Sequence, residues 1–284
     1  MNLLVTFGCS WTYGIGCFYH RPLTLDEYRK QKKESRDELA NIFSFRALLA
    51  RRHGYHNINF ASQGSSNQTQ LRRAQEFFNT DEYKRYDKVI VLWGITSTAR
   101  GEAWMKGKPG AKKTDDELSK MKGSLKSFGY HHKWELSKVI RNSYYDHSAE
   151  VERLETHMNH WNTFFNLLGI QNYWFDTFNH HEYDVPSMIF REDKHRDLMS
   201  KLCTLIGEYE PEQKFSIKNI FTHRFDEIKK LAMIENSYHF SSYLDDCDRS
   251  NYLKKNSILN PHSLHPTMKG HKMIADMLDK EISW

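Results

Sequence analysis

Two short runs constrain the fold more than any other feature of this chain. Residues 3–7 (LLVTF) and the stretch "DKVIVLWGI" are apolar at successive positions, not at alternate ones. A strand of that kind is covered on both faces, the condition of a parallel sheet held between helices. The segments between and after them follow the same logic. "DELANIFSFRALLARRHG" sets Leu39, Ile42, Phe43, Ala47, Leu49 and Ala50 on one helical stripe, with Arg51, Arg52 and His53 at its C-terminal end and Gly54 as the stop. "HNINFAS" reads as a short second strand, with Ile58 and Phe60 alternating against Asn57 and Asn59, and "NQTQLRRAQEFFN" reads as a helix.

A long helix over 147–168 lines up Val151, Leu154, Met158, Trp161, Phe164, Phe165 and Leu168 and ends at Gly169; "NYWFDTF" follows as a fourth strand. A last helix starts near Pro266 or Thr267 and turns Met273, Ile274, Met277, Leu278 and Ile282 inward. Strands alternating with helices imply right-handed crossovers and an α/β architecture with helices on both faces of a parallel sheet. Two segments break the rhythm: 100–146, with the basic-acidic loop "KGKPGAKKTDDE", and 180–256, with helices expected near 193–207 and 225–236. Both read as insertions at one end of the sheet, within a single domain spanning 1–284.

Composition narrows the function classes. No apolar run approaches the roughly 20 residues of a membrane span, and no secretory leader is legible, so a cytoplasmic protein without a membrane partner is expected. Cys9, Cys17, Cys203 and Cys247 form no CxxC pair, which argues for reduced thiols and against a zinc cage. The 41 basic and 36 acidic residues are intermixed, and their net charge of +5 describes a solvated surface more than a nucleic-acid footprint. "NHHEYD" (residues 179–184) reads as a solvated loop, because adjacent histidines point apart; neither a metal nor an organic cofactor is implied.

In an open parallel sheet, ligands bind at the carboxyl ends of the strands. Three polar turns fall there: Gly8-Cys9-Ser10, Gln63-Gly64-Ser65-Ser66-Asn67 and Gly94-Ile95-Thr96-Ser97. "NPHSLHPTMKGH" puts His262 and His265 on the loop before the last helix. If that loop crosses the first strand, a histidine approaches Ser10, giving serine, base and backbone donors: the components of acyl transfer. Each residue also has a plainer role. Ser10 can cap the helix after the first strand, Asn67 can cap the next one, and Gly64 can serve a tight turn. Cys9 points away from Ser10 by strand alternation. Trp11, Trp93, Trp104, Trp134 and Trp174 offer an aromatic platform or, more simply, core.

These blocks resemble the SGNH (GDSL-type) hydrolases. "FGCSWTYG" is similar to the family's first block, with Ser10 at the nucleophile; "NFASQGSSN" to the second, with Gly64 at the oxyanion glycine; and "LHPTMKGHKMIADML" to the fifth, with His265 at the catalytic histidine. The resemblance implies a three-layer α/β/α sandwich with a flavodoxin-like sheet and a serine esterase or deacetylase acting on a small acyl ester, on a carbohydrate. Three positions depart from the pattern: Cys9 replaces an Asp, Thr96 replaces the oxyanion Asn of the third block, and His262 replaces the acid three residues before the histidine. Losing one oxyanion donor costs about 10²–10³ in rate, and losing the acid of a serine-protease triad roughly 10⁴. Asn67 can supply an amide, and Asp245, Asp246 or Asp248 can fold back to His265. The departures also motivate a second expectation, a protein that keeps the fold without the chemistry and binds a glycan or packs as a structural subunit. "GSSN", together with Thr96, Arg100 and Glu102, resembles proteins of large tailed bacteriophages, which implies a virion or host-modification role; a homo-oligomer or a virion assembly is expected as the partner.

Overall fold

The computed structural model describes residues 1–18, 33–98, 100–106, 123–129, 146–177, 183–189 and 265–284. Four parallel strands form the main sheet: β1 (Asn2–Phe7), β2 (Tyr55–Asn59), β3 (Val89–Ile95) and β6 (Gln171–Asp176), in the order β2-β1-β3-β6. Counted within this sheet, that is the flavodoxin order 2-1-3-4. Leu4 sits between Asn57 and Ile90, and Phe7, Trp93 and Trp174 lie side by side across β1, β3 and β6.

The doubly apolar strands serve two layers. Leu4, Ile90, Leu92 and Phe175 face α3 (Phe45–His53) and α6 (Met268–Asp279), meeting Phe45, Leu49, Ile274 and Leu278. Leu3, Val5, Phe7, Val91, Trp93 and Trp174 face α4 (Asn67–Phe78) and α5 (His147–Leu167), meeting Ala74, Phe77, Leu154, Met158 and Phe165. Strand alternation splits the side chains between these faces, which makes the molecule a three-layer α/β/α sandwich. On the α4/α5 face Phe60, Phe7, Trp93 and Trp174 stack in a row, with successive ring centroids 5.3, 4.4 and 4.4 Å apart. Trp11, Trp93 and Trp174 are all buried, so these three tryptophans are core.

The expected single helix over 37–53 is two. α2 (Lys33–Phe43) stops, Ser44 adopts extended backbone (φ −66°, ψ 152°), and α3 restarts at Phe45. The stripe is continuous in sequence, but tertiary contacts described below pull Phe45 and Arg46 out of register. The 100–146 segment, read as a flexible loop, contains an antiparallel pair, β4 (Arg100–Lys106) with β5 (Gly123–Gly129), forming a second sheet. Glu102 pins its root to α4, accepting from Thr69 Oγ1 at 3.1 Å and from Arg72 Nε and Nη2 at 3.1 and 2.8 Å. The helices expected near 193–207 and 225–236, and Cys203 and Cys247, lie outside the described residues. The C-terminus is locked onto α3: Trp284 stacks on His53 at 4.0 Å, and His53 Nε2 is 2.6 Å from Asp279 Oδ1. No described helix is long and apolar enough to cross a membrane.

Candidate active site

The strand order reverses between β1 and β3, which opens a crevice at the carboxyl ends of those two strands. Ser10 lies there, three residues past β1, as the first residue of the one-turn helix α1 (Ser10–Tyr13). Cys9 is the N-cap and makes no side-chain cap, so Ser10 does not cap this helix. Its hydroxyl lies 2.6 Å from His265 Nε2, across 255 residues of chain. Ser10 is nearly buried and His265 half-buried.

Close backbone contacts hold both partners. Thr12, fully buried, packs between the ends of β1 and β3; a Cβ at Gly8 or Gly94 would overlap its hydroxyl. After α1, the turn at Ile15–Phe18 presses on the histidine loop. A Cβ on Gly16 would overlap the Pro266 carbonyl and lie 2.8 Å from the His265 carbonyl oxygen. Two residues past His265, Thr267 caps α6, its Oγ1 accepting from the Gly270 N–H at 3.4 Å.

The β2–α4 loop approaches from the other side. Phe60 N–H donates to Thr6 O at 2.8 Å and Ser62 N–H to Gly8 O at 3.1 Å, which extends the strand pairing into the crevice. Ser65 N–H closes a turn on Ser62 O at 3.3 Å, with the exposed Gly64 at φ +69°, a conformation that favours glycine. Ser66, not Asn67, caps α4, accepting from Thr69 N–H at 3.2 Å. Asn67 instead makes a two-point bridge to one backbone segment: its Nδ2 donates to Thr96 O at 2.8 Å and its Oδ1 accepts from Thr96 N–H at 2.9 Å. An amide nitrogen carries two protons, so one donor of Asn67 is left after this bridge. Thr96 is fully buried, and its hydroxyl accepts from Arg100 Nη1 at 3.1 Å.

A polar cluster lies beside the dyad on the α3/α6 side. His271 is fully buried; its Nδ1 accepts from the Phe45 N–H at 3.3 Å, which puts the ring proton on Nε2. Burial, then Arg46 and His265, pull its pKa down to about 3, so the ring is neutral. Arg46 is also buried, and burial draws its pKa down to about 10. Burial pushes the Cys17 thiol up and keeps it protonated. Gly16, Arg46 and His271 were not singled out from sequence. The "GIG" after the nucleophile turn was the available signal for the first, and the Gly-His of the last block for the third.

His262 and Asp245, Asp246 and Asp248 lie outside the described residues. Within the described residues, no group of His, Cys, Asp and Glu is arranged to hold a metal ion.

No family model and no curated protein matches the chain. Among solved structures, the chain is similar to one described as a "putative lipolytic protein of G-D-S-L family from Desulfitobacterium hafniense DCB-2", at 11% identity, with 98% of each chain covered and a TM-score of 0.37. The fold stated above rests on strand order and layer packing.

Proposed function

We propose that the protein is a serine ester hydrolase, with Ser10 as nucleophile and His265 as general base. The observation that carries this reading is the 2.6 Å contact between Ser10 Oγ and His265 Nε2 at the crevice between β1 and β3. In the first half-reaction His265 takes the hydroxyl proton while Oγ bonds the ester carbonyl carbon; the proton then passes to the leaving alcohol as its C–O bond breaks. Water repeats the sequence on the acyl-enzyme and frees the acid. The N–H groups of Ser10 and Gly64 receive the oxyanion, joined by the second amide proton of Asn67. Thr96 contributes through its backbone, which fixes the Asn67 amide plane.

The nearly buried position of Ser10 favours a small acyl group such as acetate. A carbohydrate as its carrier follows from the family resemblance alone. His262 has the sequence position to orient His265, as a neutral acceptor in place of a carboxylate.

Hydrolysis of p-nitrophenyl acetate by wild type and Ser10→Ala, with fluorophosphonate labelling alongside, tests the reading. A wild-type rate that collapses in the variant, with label on Ser10, supports it. Equal rates near background and no label sink it, and leave a fold that binds without turning over.

A further inference from the structure

We propose that Arg46 is a positioning residue for Ser10, and that the helix break at Ser44 exists to deliver it. The proposal rests on the reading of Ser10 and His265 as nucleophile and base.

The break is unusual because nothing local demands it. "NIFSFRALLA" contains no glycine or proline, and its apolar stripe suits one continuous helix. Ser44 N–H still closes on Ala40 O at 3.1 Å, and Ser44 O already receives Leu48 N–H at 3.0 Å, so the interruption is confined to the N–H groups of Phe45, Arg46 and Ala47. Two groups are redirected. Phe45 N–H turns to His271 Nδ1, and Arg46 Nη2 reaches Tyr13 O at 3.3 Å and Asn41 Oδ1 at 2.9 Å.

Tyr13 is the last residue of α1, the turn that starts at Ser10. A cation on a C-terminal carbonyl holds the end of a helical turn. Nucleophile and carbonyl belong to the same four-residue turn, with only Trp11 and Thr12 between them, so fixing Tyr13 fixes the backbone that carries Ser10. The Tyr13 phenol is itself bonded to Asp37 on α2, so the same corner grips Tyr13 by its backbone and by its side chain. Gly14, next in line, is packed so closely on the break that a Cβ there would stand 2.8 Å from Ser44 Cβ.

The energetics point the same way. Arg46 is 1% exposed, and among the described residues no carboxylate lies within ion-pair distance of it; its Nε has no hydrogen-bond partner. A buried guanidinium held only by a carbonyl and an amide is expensive, and an apolar residue there would pack more cheaply. A group kept at that cost is expected where geometry matters to function.

The test compares wild type, Arg46→Met and Asn41→Ala, all checked for folding by circular dichroism. Two readouts are taken: the fluorophosphonate labelling rate at Ser10, and the ring ¹⁵N shifts of His265 by NMR. Misplacement on the ångström scale costs up to about 10²-fold, so labelling of Arg46→Met should fall by roughly that factor, with Asn41→Ala falling less. The His265 shifts should move in both variants. Wild-type labelling rates in the folded variants, or unmoved His265 shifts, overturn the proposal. If Arg46→Met does not fold, Asn41→Ala decides by the same criteria. An unlabelled wild type would remove the hydrolase reading while leaving the clamp to be judged by the His265 shifts.

Discussion

On the face covered by α4 and α5 the sheet is closed by rings: Phe60, Phe7, Trp93 and Trp174 in a row, with Phe78, Trp161 and Phe165 packed on them. On the face covered by α3 and α6, aliphatic packing gives way toward the crevice to buried Ser44, Arg46 and His271, each with a polar atom lacking a hydrogen-bond partner. The first face collects the large apolar areas that stabilise a fold. The second spends stability on groups whose positions matter. Both faces hang from the same three strands, β1, β3 and β6, so substitutions on one should change stability and on the other reactivity.

Ser10→Ala gives the largest effect and acts on one side only. Ester hydrolysis and labelling should fall by several orders of magnitude, as when a serine-protease nucleophile is removed, with the thermal midpoint nearly unchanged. A matching loss of stability would blur the division of labour. Phe165→Ala is the counterpart. It removes a fully buried ring near the end of α5 that leads into the amino-terminal end of β6, away from the crevice. Urea unfolding should show a loss of about 3–5 kcal/mol, with the labelling rate of the folded protein unchanged.

Gly16→Ala sharpens the comparison from the polar side. A methyl group must displace the His265–Pro266 backbone, so kcat should fall by up to about 10²-fold with KM little changed. A wild-type kcat would mean that the histidine loop moves aside at no cost to geometry.

The pH dependence of stability should also come from the polar side. The folded pKa of His271, about 3, lies below its ordinary 6.5. Between those values the unfolded chain binds a proton that the folded one refuses. Stability from this group is therefore complete above about pH 6.5 and is lost as pH falls toward 3. Denaturant titrations of wild type and His271→Gln between pH 4 and 7 should differ in slope by up to one proton; parallel curves would deny the buried neutral ring. Ser66→Ala should be the smallest change, about 1 kcal/mol from the lost cap of α4, read as a small drop in midpoint.

Much of the fold was legible because it depends on local pattern. Successive apolar residues in β1 and β3 marked strands covered on both sides. Gly54 and Gly169 marked helix ends, and both take positive φ. The last helix was placed to start near Pro266 or Thr267, and Thr267 caps α6. Ser10 and His265 stood out in sequence as polar residues at a strand end and before a helix, and the structure sets them 2.6 Å apart; Gly64 was named from the family resemblance. The helix break at Ser44 was not found: the Phe45 N–H that it turns outward is accepted by the ring of His271, 226 residues away. Asn67 showed its residue type in sequence but not its bond to the Thr96 peptide, which requires two loops to be adjacent. The hairpin of β4 and β5 was hidden by the charged stretch that lies between its strands.

By itself, then, the sequence determined the four strands of the main sheet and the helical segments between them, which faces they bury, and which polar residues stand at the ends of strands. These follow from periodicity and from residues whose backbone preferences act within a few positions. The tertiary structure alone decided that His265 meets Ser10, that Gly16 must be bare, and that a helix gives way so that Arg46 can reach Tyr13. Each of these is a contact between segments far apart in the chain, set by how the layers pack, and no local preference encodes it.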